Sequence, residues 1–193
     1  MLENLNKYHI VLASNSPRRK EILSQLGVDF TVKTLKGVDE SYPASLRGEE
    51  ISDFICRKKG NAYKSIIKSS ELVITADTIV WLDGHVYGKP KNRQEAVEML
   101  RLFSGKTHQV ITGVCLTTVD WQKHFTAVTD VEFAQLAEDE ICYYVDQFHP
   151  FDKAGAYGIQ EWIGLIGVEH ISGSYFNVVG LPVKKLYDIL KKL

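Results

Sequence analysis

The sequence contains little cysteine, and its histidines are spread along the chain. Cys56, Cys115 and Cys142 are the three cysteines among 193 residues, and their odd number and wide spacing argue against a disulfide framework. The six histidines show no ligand spacing such as HxxxH. A zinc site built from histidine or cysteine is therefore not expected, and the cysteine usage favours a reducing compartment.

Long apolar runs and an excess of one charge are also missing. No run approaches the roughly 18 apolar residues that a membrane span needs, and the first ten residues include Glu3 and no long apolar stretch, so no signal peptide is predicted. Lys plus Arg is 23 and Asp plus Glu is 24, whereas proteins that coat nucleic acids are usually strongly basic. We expect a cytoplasmic protein that binds neither a membrane nor a nucleic acid polymer.

The apolar residues that are present alternate between strand-like and helix-like spacing, which predicts an α/β protein with a mixed sheet. Helices are predicted to start at Ser16–Pro17 and at Asn92, and to cover about 46–68, "EDEICYYVDQF" and the stretch from Leu181 to the end. Strands are predicted in "HIVLA", "DFTVKTL", "ELVITADTIVWL", "HVYG", "HQVITGVCLTTV", "FTAVTDVEFAQLA" and "EWIGLIGVEHIS". Without a repeat or a long linker, these elements are expected to form a single domain over residues 1–193.

Two arginines stand at the unfavourable end of the first helix. Ser16 and Pro17 form a good helix start, so Arg18 and Arg19 lie in the first turn, where the helix dipole disfavours each cation by roughly 0.3–1 kcal/mol. Replacing either arginine is then expected to leave stability unchanged or slightly higher. Free backbone N–H groups and guanidinium groups match phosphate oxygens, which predicts a polyphosphate site. An ion pair with a nearby acid such as Glu21 is the alternative.

Three further stretches carry charges that suit phosphate chemistry. Asp77 directly follows an apolar run, where a strand end would partly desolvate its carboxylate, although it can also cap a turn with Thr78. Asp39 and Glu40 can bind Mg²⁺ beside a phosphate or belong to an ordinary polar loop. Lys89, between Gly88 and Pro90 in "GKP", is either a fixed phosphate contact or a solvated lysine.

The stretch "FDKAGAYGIQEW" combines small residues with groups that suit a nucleobase. Its glycines and alanines permit another group to approach the backbone closely. Tyr157 supplies a stacking face and Gln160 an amide that can read the donor and acceptor pattern of a base edge. A tight, bulged strand packed on the core is the alternative. No GxxxxGK[ST] or GxGxxG pattern is present, which argues against P-loop and dinucleotide-dependent enzymes.

Six segments, "SNSPRRKEIL", "ADTIV", "GKP", "SGKTHQVITGV", "DKAGAYGIQ" and "GSYFNVVGLP", occur in the order seen in the Maf family of nucleoside triphosphate pyrophosphatases. The chain resembles this family from about Leu12 to Leu190. The resemblance implies a single Maf-like domain with an elongated mixed-sheet fold related to the inosine triphosphatase group, and a deep cleft between two lobes. It also implies cleavage of a nucleoside triphosphate to the monophosphate and pyrophosphate with a divalent metal, Mg or Mn, and a homodimer.

The resemblance also assigns roles to individual residues. Asp77 matches the carboxylate that activates water. Asp77 and Glu40 also match the acids near the metal. The positions that contact the triphosphate match Ser16, Arg18, Arg19, Lys59 and Lys89, and those that set base specificity match Arg18, Thr78 and Gln160.

The "DKAGAYGIQ" segment resembles the branch that acts on dTTP and UTP, since relatives that act on 7-methyl-GTP carry an acid at the position of Gln160. Thr75 stands where the family more often has glycine, and Gly60 where it usually has alanine. The alternatives are a pyrophosphatase for another base, 7-methyl-GTP or CTP, and a nucleotide-sensing regulator of septum formation without turnover.

Overall fold

A computed structural model describes residues 2–193 of the chain. Seven strands form one sheet: β1 (His9–Leu12), β2 (Phe30–Val32), β3 (Glu71–Leu82), β4 (His85–Tyr87), β5 (Thr107–Thr117), β6 (Gln122–Phe133) and β7 (Val168–Ser172). Their order is β2-β1-β3-β5-β6-β7, and β4 pairs with β3 outside this order. β1 runs parallel to β2 and β3, whereas the β3–β4 and β6–β7 pairs are antiparallel. The predicted α/β fold with a mixed sheet is confirmed.

Seven α-helices accompany the sheet within residues 2–193: α1 (Pro17–Ser24), α2 (Glu49–Tyr63), α3 (Arg93–Phe103), α4 (Glu138–Phe148), α5 (Trp162–Gly167), α6 (Tyr175–Val179) and α7 (Val183–Leu190). Two predicted helix starts are confirmed by their caps. The Ser16 hydroxyl accepts the backbone N–H of Arg19 at 3.4 Å, and the Asn92 side chain accepts that of Glu95 at 2.9 Å. α2 is shorter than predicted at both ends.

The stretch from Glu161 to Ser172 corrects one strand prediction. Its first half forms the short helix α5, and only its second half forms the strand β7. The helical turn brings Gly164 against the preceding chain, where a Cβ atom would lie 1.8 Å from the carbonyl oxygen of Ile159. Upstream, two short 3-10 helices, Pro150–Asp152 and Ala154–Ala156, replace the bulged strand that was the alternative for this region.

Two glycine positions show why the chain turns or packs as it does. Asp83 and Gly84 join β3 to β4 with φ of 50° and 80°, as the tight turn of a hairpin requires. Gly60 lies inside α2, and a Cβ atom there would meet the Thr117 hydroxyl at 2.7 Å and the Gln122 amide nitrogen at 2.9 Å. Gly60 therefore lets α2 pack closely against β5 and β6.

The chain divides into two compact units. The first unit comprises Met1–Asp77, Thr112–Ala127 and Gly180–Leu193, and the second comprises Thr78–Ile111 and Val128–Val179. A large apolar cluster lies in the second unit, around Phe103, Phe133 and Tyr144. That residues 1–193 form a single domain stays a prediction. None of the helices in the described part of the chain has the length and apolar character to cross a membrane.

Candidate active site

Three charged side chains meet at the surface of the first unit. Asp77, on β3, is only 8% exposed. The Lys59 ammonium, which comes from α2, lies 2.7 Å from Oδ1 of Asp77 and 2.9 Å from Oε1 of Glu40. The structure therefore brings together the predicted catalytic carboxylate, one predicted triphosphate contact and the second predicted metal-side acid.

A neighbouring hydrogen bond seats the helix that carries Lys59. The buried Thr75 hydroxyl donates to the carbonyl oxygen of Cys56 at 2.7 Å. Thr75 and Asp77 lie on the same face of β3 because they are two residues apart, and Cys56 and Lys59 are neighbours on α2 because they are three apart. Two adjacent contacts, one buried and one partly buried, thus join α2 to β3.

Arg19 reaches backbone carbonyl groups from the first turn of α1. Its Nε donates to the carbonyl oxygen of Gly180 at 2.9 Å, and its Nη1 donates to that of Ala76 at 2.9 Å. Burial lowers the pKa of Arg19, and the charge of Asp77 acts in the opposite direction. These acceptors offset the unfavourable helix dipole and hold the guanidinium next to the residue that precedes Asp77. Arg18 is half-buried in the same turn, which Ser16 caps.

The acid pair in "GVDESYP" is divided between two lysines. Asp39 accepts from the Lys58 ammonium at 2.6 Å and from the backbone and hydroxyl of Ser41, and these bonds hold the pKa of Asp39 below its usual range. Glu40 instead pairs with Lys59. Asp39 and Glu40 therefore pair with different lysines and do not form a joint cation site. Glu40 and Asp77 instead share the Lys59 ammonium. Within residues 2–193, no group of three or more His, Cys, Asp or Glu side chains is arranged to hold a metal ion.

The second unit carries Lys89, Thr78 and Gln160. Lys89 and Gln160 are exposed, and Thr78 is half-buried in β3. The backbone N–H of Gly155 donates to the carbonyl oxygen of Gly88 at 3.0 Å. This bond joins the turn that carries Lys89 to the "DKAGAYGIQ" segment.

Tyr157 does not offer the stacking face that the sequence suggested. Its ring is buried and packs edge-on against Phe133 and His108, and its hydroxyl lies 2.8 Å from Nε2 of His108. Burial lowers the pKa of His108 to about 4, so the ring is neutral at pH 7. Tyr157 therefore anchors its segment to the core of the second unit.

Several polar residues of these two regions were not singled out from the sequence. Ser14 lies beside Arg19 and accepts the backbone N–H of Ser16 at 3.2 Å. Lys153 and Glu161 form a partly buried ion pair at 2.9 Å. No periodicity or motif spacing marks this pair, because its members lie eight residues apart in an irregular stretch.

Comparison with known proteins agrees with these observations. A family model described as "Maf-like protein" matches residues 9–193. A protein of Bacteroides thetaiotaomicron named dTTP/UTP pyrophosphatase is 67% identical over 193 residues and covers the whole of both chains. A protein of the same name from Porphyromonas gingivalis strain W83 is 50% identical and covers 99% of this chain and 97% of its own.

A solved structure also matches the fold. The Ham1 protein of Staphylococcus aureus superposes with a TM-score of 0.51 over 95% of this chain and 98% of its own, at 18% identity. At this identity the likeness concerns the fold alone. Together with the family match and the full-length relatives, these observations show that the chain belongs to the Maf-like protein family.

Proposed function

We propose that this chain is a nucleoside triphosphate pyrophosphatase that converts dTTP and UTP to the monophosphate and pyrophosphate. The observation that carries the proposal is the meeting of Asp77 with Lys59 and Glu40, next to the guanidinium of Arg19. Full-length relatives at 67% identity named dTTP/UTP pyrophosphatase support the choice of substrate. A regulator without turnover would need the cations but would not need a carboxylate at Asp77.

The cations are assigned to the triphosphate. Ser16, Arg18 and Arg19 stand at the start of α1, where backbone N–H groups also favour an anion. Lys59 already faces two carboxylates, and we assign it, with Lys89 of the second unit, to the phosphate oxygens. Cations placed where charge develops on the leaving pyrophosphate stabilise the transition state more than the ground state.

Asp77 is assigned as the general base. The ion pair with Lys59 uses Oδ1 of Asp77, and we assign Oδ2 to the attacking water. The water oxygen forms a bond to the α-phosphorus while its proton passes to Asp77. The bond between the α-phosphorus and the bridging oxygen breaks, and pyrophosphate leaves with the electron pair. No covalent enzyme intermediate is required.

Glu40 and Asp77 would hold a divalent metal, Mg or Mn. Their carboxylates already face one cation, the Lys59 ammonium. Mg²⁺ is usually bound by one or two carboxylates together with substrate phosphates, and carboxylate oxygens also suit Mn²⁺, so this donor set fits the metal. A metal bound there would neutralise charge on the phosphates.

Base selection is assigned to Arg18, Thr78 and Gln160. The Gln160 amide has a donor and an acceptor, which suit the alternating acceptors and donor of a pyrimidine-2,4-dione edge. An acid at this position would instead favour a positively charged base such as 7-methylguanine. Gln160 therefore supports dTTP and UTP over 7-methyl-GTP, and the alternatives in base, 7-methyl-GTP and CTP, become outcomes of the test.

We further propose that the protein acts in the cytoplasm as a homodimer. Its three cysteines are free, as expected in a reducing compartment. Four exposed large apolar side chains, Leu165, Ile166, Tyr175 and Phe176, lie within the twelve-residue stretch that contains β7, and β7 ends the sheet order. A second copy of the chain would cover such a surface.

The test is pyrophosphate release from a panel of dTTP, UTP, CTP and 7-methyl-GTP by wild type and Asp77→Asn. We expect dTTP and UTP to be the best substrates, and the isosteric variant to bind UTP but lose about 10²–10⁴-fold in kcat, the usual contribution of a general base. Asp120→Asn, at an exposed turn, is the matched control and should keep wild-type turnover. Near-normal kcat in Asp77→Asn would remove Asp77 as the base, and wild type inactive on all four nucleotides would overturn the proposed function.

A further inference from the structure

The segment that contains Gln160 is held together at its two ends by an ion pair of Lys153, which is almost buried. Lys153 is 8% exposed, and its ammonium lies 2.9 Å from Oε1 of Glu161 and 2.8 Å from Oδ1 of Asp152. A buried ammonium requires such partners because removing it from water is costly. The Lys153–Glu161 pair therefore joins the two ends of the segment 153–161, and Gln160 stands one residue before the closing glutamate.

Tyr144 links the segment 153–161 to α4. Its side chain is fully buried, and its hydroxyl donates to Oε2 of Glu161 and accepts the backbone N–H of Gly158 at 3.0 Å. Both carboxylate oxygens of Glu161 are thus engaged, one by Lys153 and one by Tyr144. At Gly158 a Cβ atom would lie 2.9 Å from Cδ of Glu161 and 3.0 Å from Cε of Lys153, so the backbone packs directly on the pair.

The same segment is held at two further points within the second unit. The Tyr157 hydroxyl meets His108 at 2.8 Å, and Gly155 donates to the carbonyl oxygen of Gly88 at 3.0 Å. By contrast, the Gln160 side chain is exposed. An exposed amide therefore extends from a backbone that is fixed at several buried points.

We propose that Tyr144 and the Lys153–Glu161 pair are positioning residues that set base selectivity by fixing the backbone from which Gln160 reads the nucleobase. This inference rests on the proposed function and names residues that neither motif spacing nor the family pattern assigned. None of these three side chains is assigned a contact with the substrate, so their effect passes through Gln160.

The chemical reason lies in the symmetry of the amide. The oxygen and the NH₂ group of glutamine are alike in shape but opposite in hydrogen bonding, so a half turn of the amide exchanges donor and acceptor. Uracil has an acceptor at O4 and a donor at N3. Cytosine has a donor, the amino group on C4, and an acceptor at N3. The fixed backbone holds the start of the Gln160 side chain at one place along this edge, so the amide meets O4 and N3 in register. A loosened backbone would let the amide shift as well as turn, which weakens the discrimination between UTP and CTP.

The test compares Tyr144→Phe with Tyr143→Phe, its neighbour on the same helix. Tyr143 is 50% exposed, so its hydroxyl serves as the matched control. We expect Tyr144→Phe to lower the UTP-to-CTP ratio of kcat/KM about tenfold, the worth of one hydrogen bond, chiefly through a higher KM for UTP with kcat for UTP within about twofold of wild type. Tyr143→Phe should leave the ratio and both constants unchanged.

Thermal unfolding of each variant sets an assay temperature at which all are folded. Glu161→Gln, which removes the charge opposite Lys153, should lower the ratio in the same direction and decides the matter if Tyr144→Phe does not fold. Variants that lose activity on UTP and CTP by the same factor, or that keep the wild-type ratio, overturn the inference and leave the proposed function standing. Wild type that releases no pyrophosphate from UTP overturns the proposed function, and this inference with it.

Discussion

Arg19 shows how the environment of a single residue can reverse an expectation from local sequence. From the sequence, its place at the positive end of α1 is a cost of roughly 0.3–1 kcal/mol, which replacement would relieve. In the structure its guanidinium donates to the carbonyl oxygens of Ala76 and Gly180. A hydrogen bond to a charged group contributes about 1.5–3 kcal/mol to stability, so we expect these contacts to outweigh the dipole and replacement to destabilise the protein.

We therefore expect Arg19→Ala to lower the free energy of unfolding by about 1–3 kcal/mol, because two carbonyl groups lose a charged donor. Urea unfolding followed by circular dichroism measures this change. Arg57→Ala is the matched control: Arg57 forms an exposed pair with Asp53, and such pairs contribute about 1 kcal/mol or less. An Arg19→Ala protein as stable as wild type would show that the dipole argument from the sequence was sufficient.

The candidate site could be predicted only in part from the sequence, and the reason differs between residues. Asp77 stood out because a carboxylate directly follows an apolar run, and Arg18 and Arg19 because they contradict helix electrostatics. Lys59 has no such local signal within α2, and the resemblance alone identified it. The burial of Tyr157 follows from long-range packing against Phe133 and His108, which no short stretch of sequence encodes.

At the scale of elements, Gly60 tests how α2 packs on β5. Alanine is favoured over glycine inside a helix by about 1 kcal/mol, but its Cβ atom would lie 2.7 Å from the Thr117 hydroxyl and 3.2 Å from the sulfur of Cys115. Overpacking of this kind typically costs about 1–3 kcal/mol. We expect Gly60→Ala to destabilise the protein in urea unfolding by about 0–2 kcal/mol, the difference between these two effects.

A double-mutant cycle with Thr117→Ala separates the two contributions. Removing the hydroxyl removes the closest contact, so Gly60→Ala should be less destabilising in the Thr117→Ala background, and it becomes stabilising there if helix propensity then dominates. An identical effect of Gly60→Ala in both backgrounds would contradict the steric explanation.

Elements whose ends carry a capping residue or a turn residue were predicted well, whereas the stretch that begins at Glu161 was not. Ser16, Asn92 and the Asp83–Gly84 turn each act through a local backbone preference, which the sequence states directly. The stretch "EWIGLIG" has no capping side chain at Glu161, and its apolar residues resemble a strand. Its helix depends on the close approach of Gly164 to Ile159, a contact between neighbouring turns that hydropathy does not encode.

At the scale of the molecule, three long strands contribute residues to both units. β3, β5 and β6 each cross from one unit to the other, at Asp77–Thr78, Ile111–Thr112 and Ala127–Val128. The sequence predicted the strands and their approximate lengths. No linker or change of composition marks the division, and only the resemblance implied two lobes.

The four exposed apolar side chains within residues 165–176 predict how the whole molecule assembles. Leu165 is 81% exposed, and β7, which ends the sheet order, offers backbone groups that a second copy can pair. Light scattering after size exclusion should report a dimer of two 21.8 kDa chains for wild type and a monomer for Leu165→Asp. Leu102→Asp, at another exposed leucine on α3, should remain dimeric. A monomeric wild type, or dissociation by Leu102→Asp but not by Leu165→Asp, would contradict an interface on this stretch.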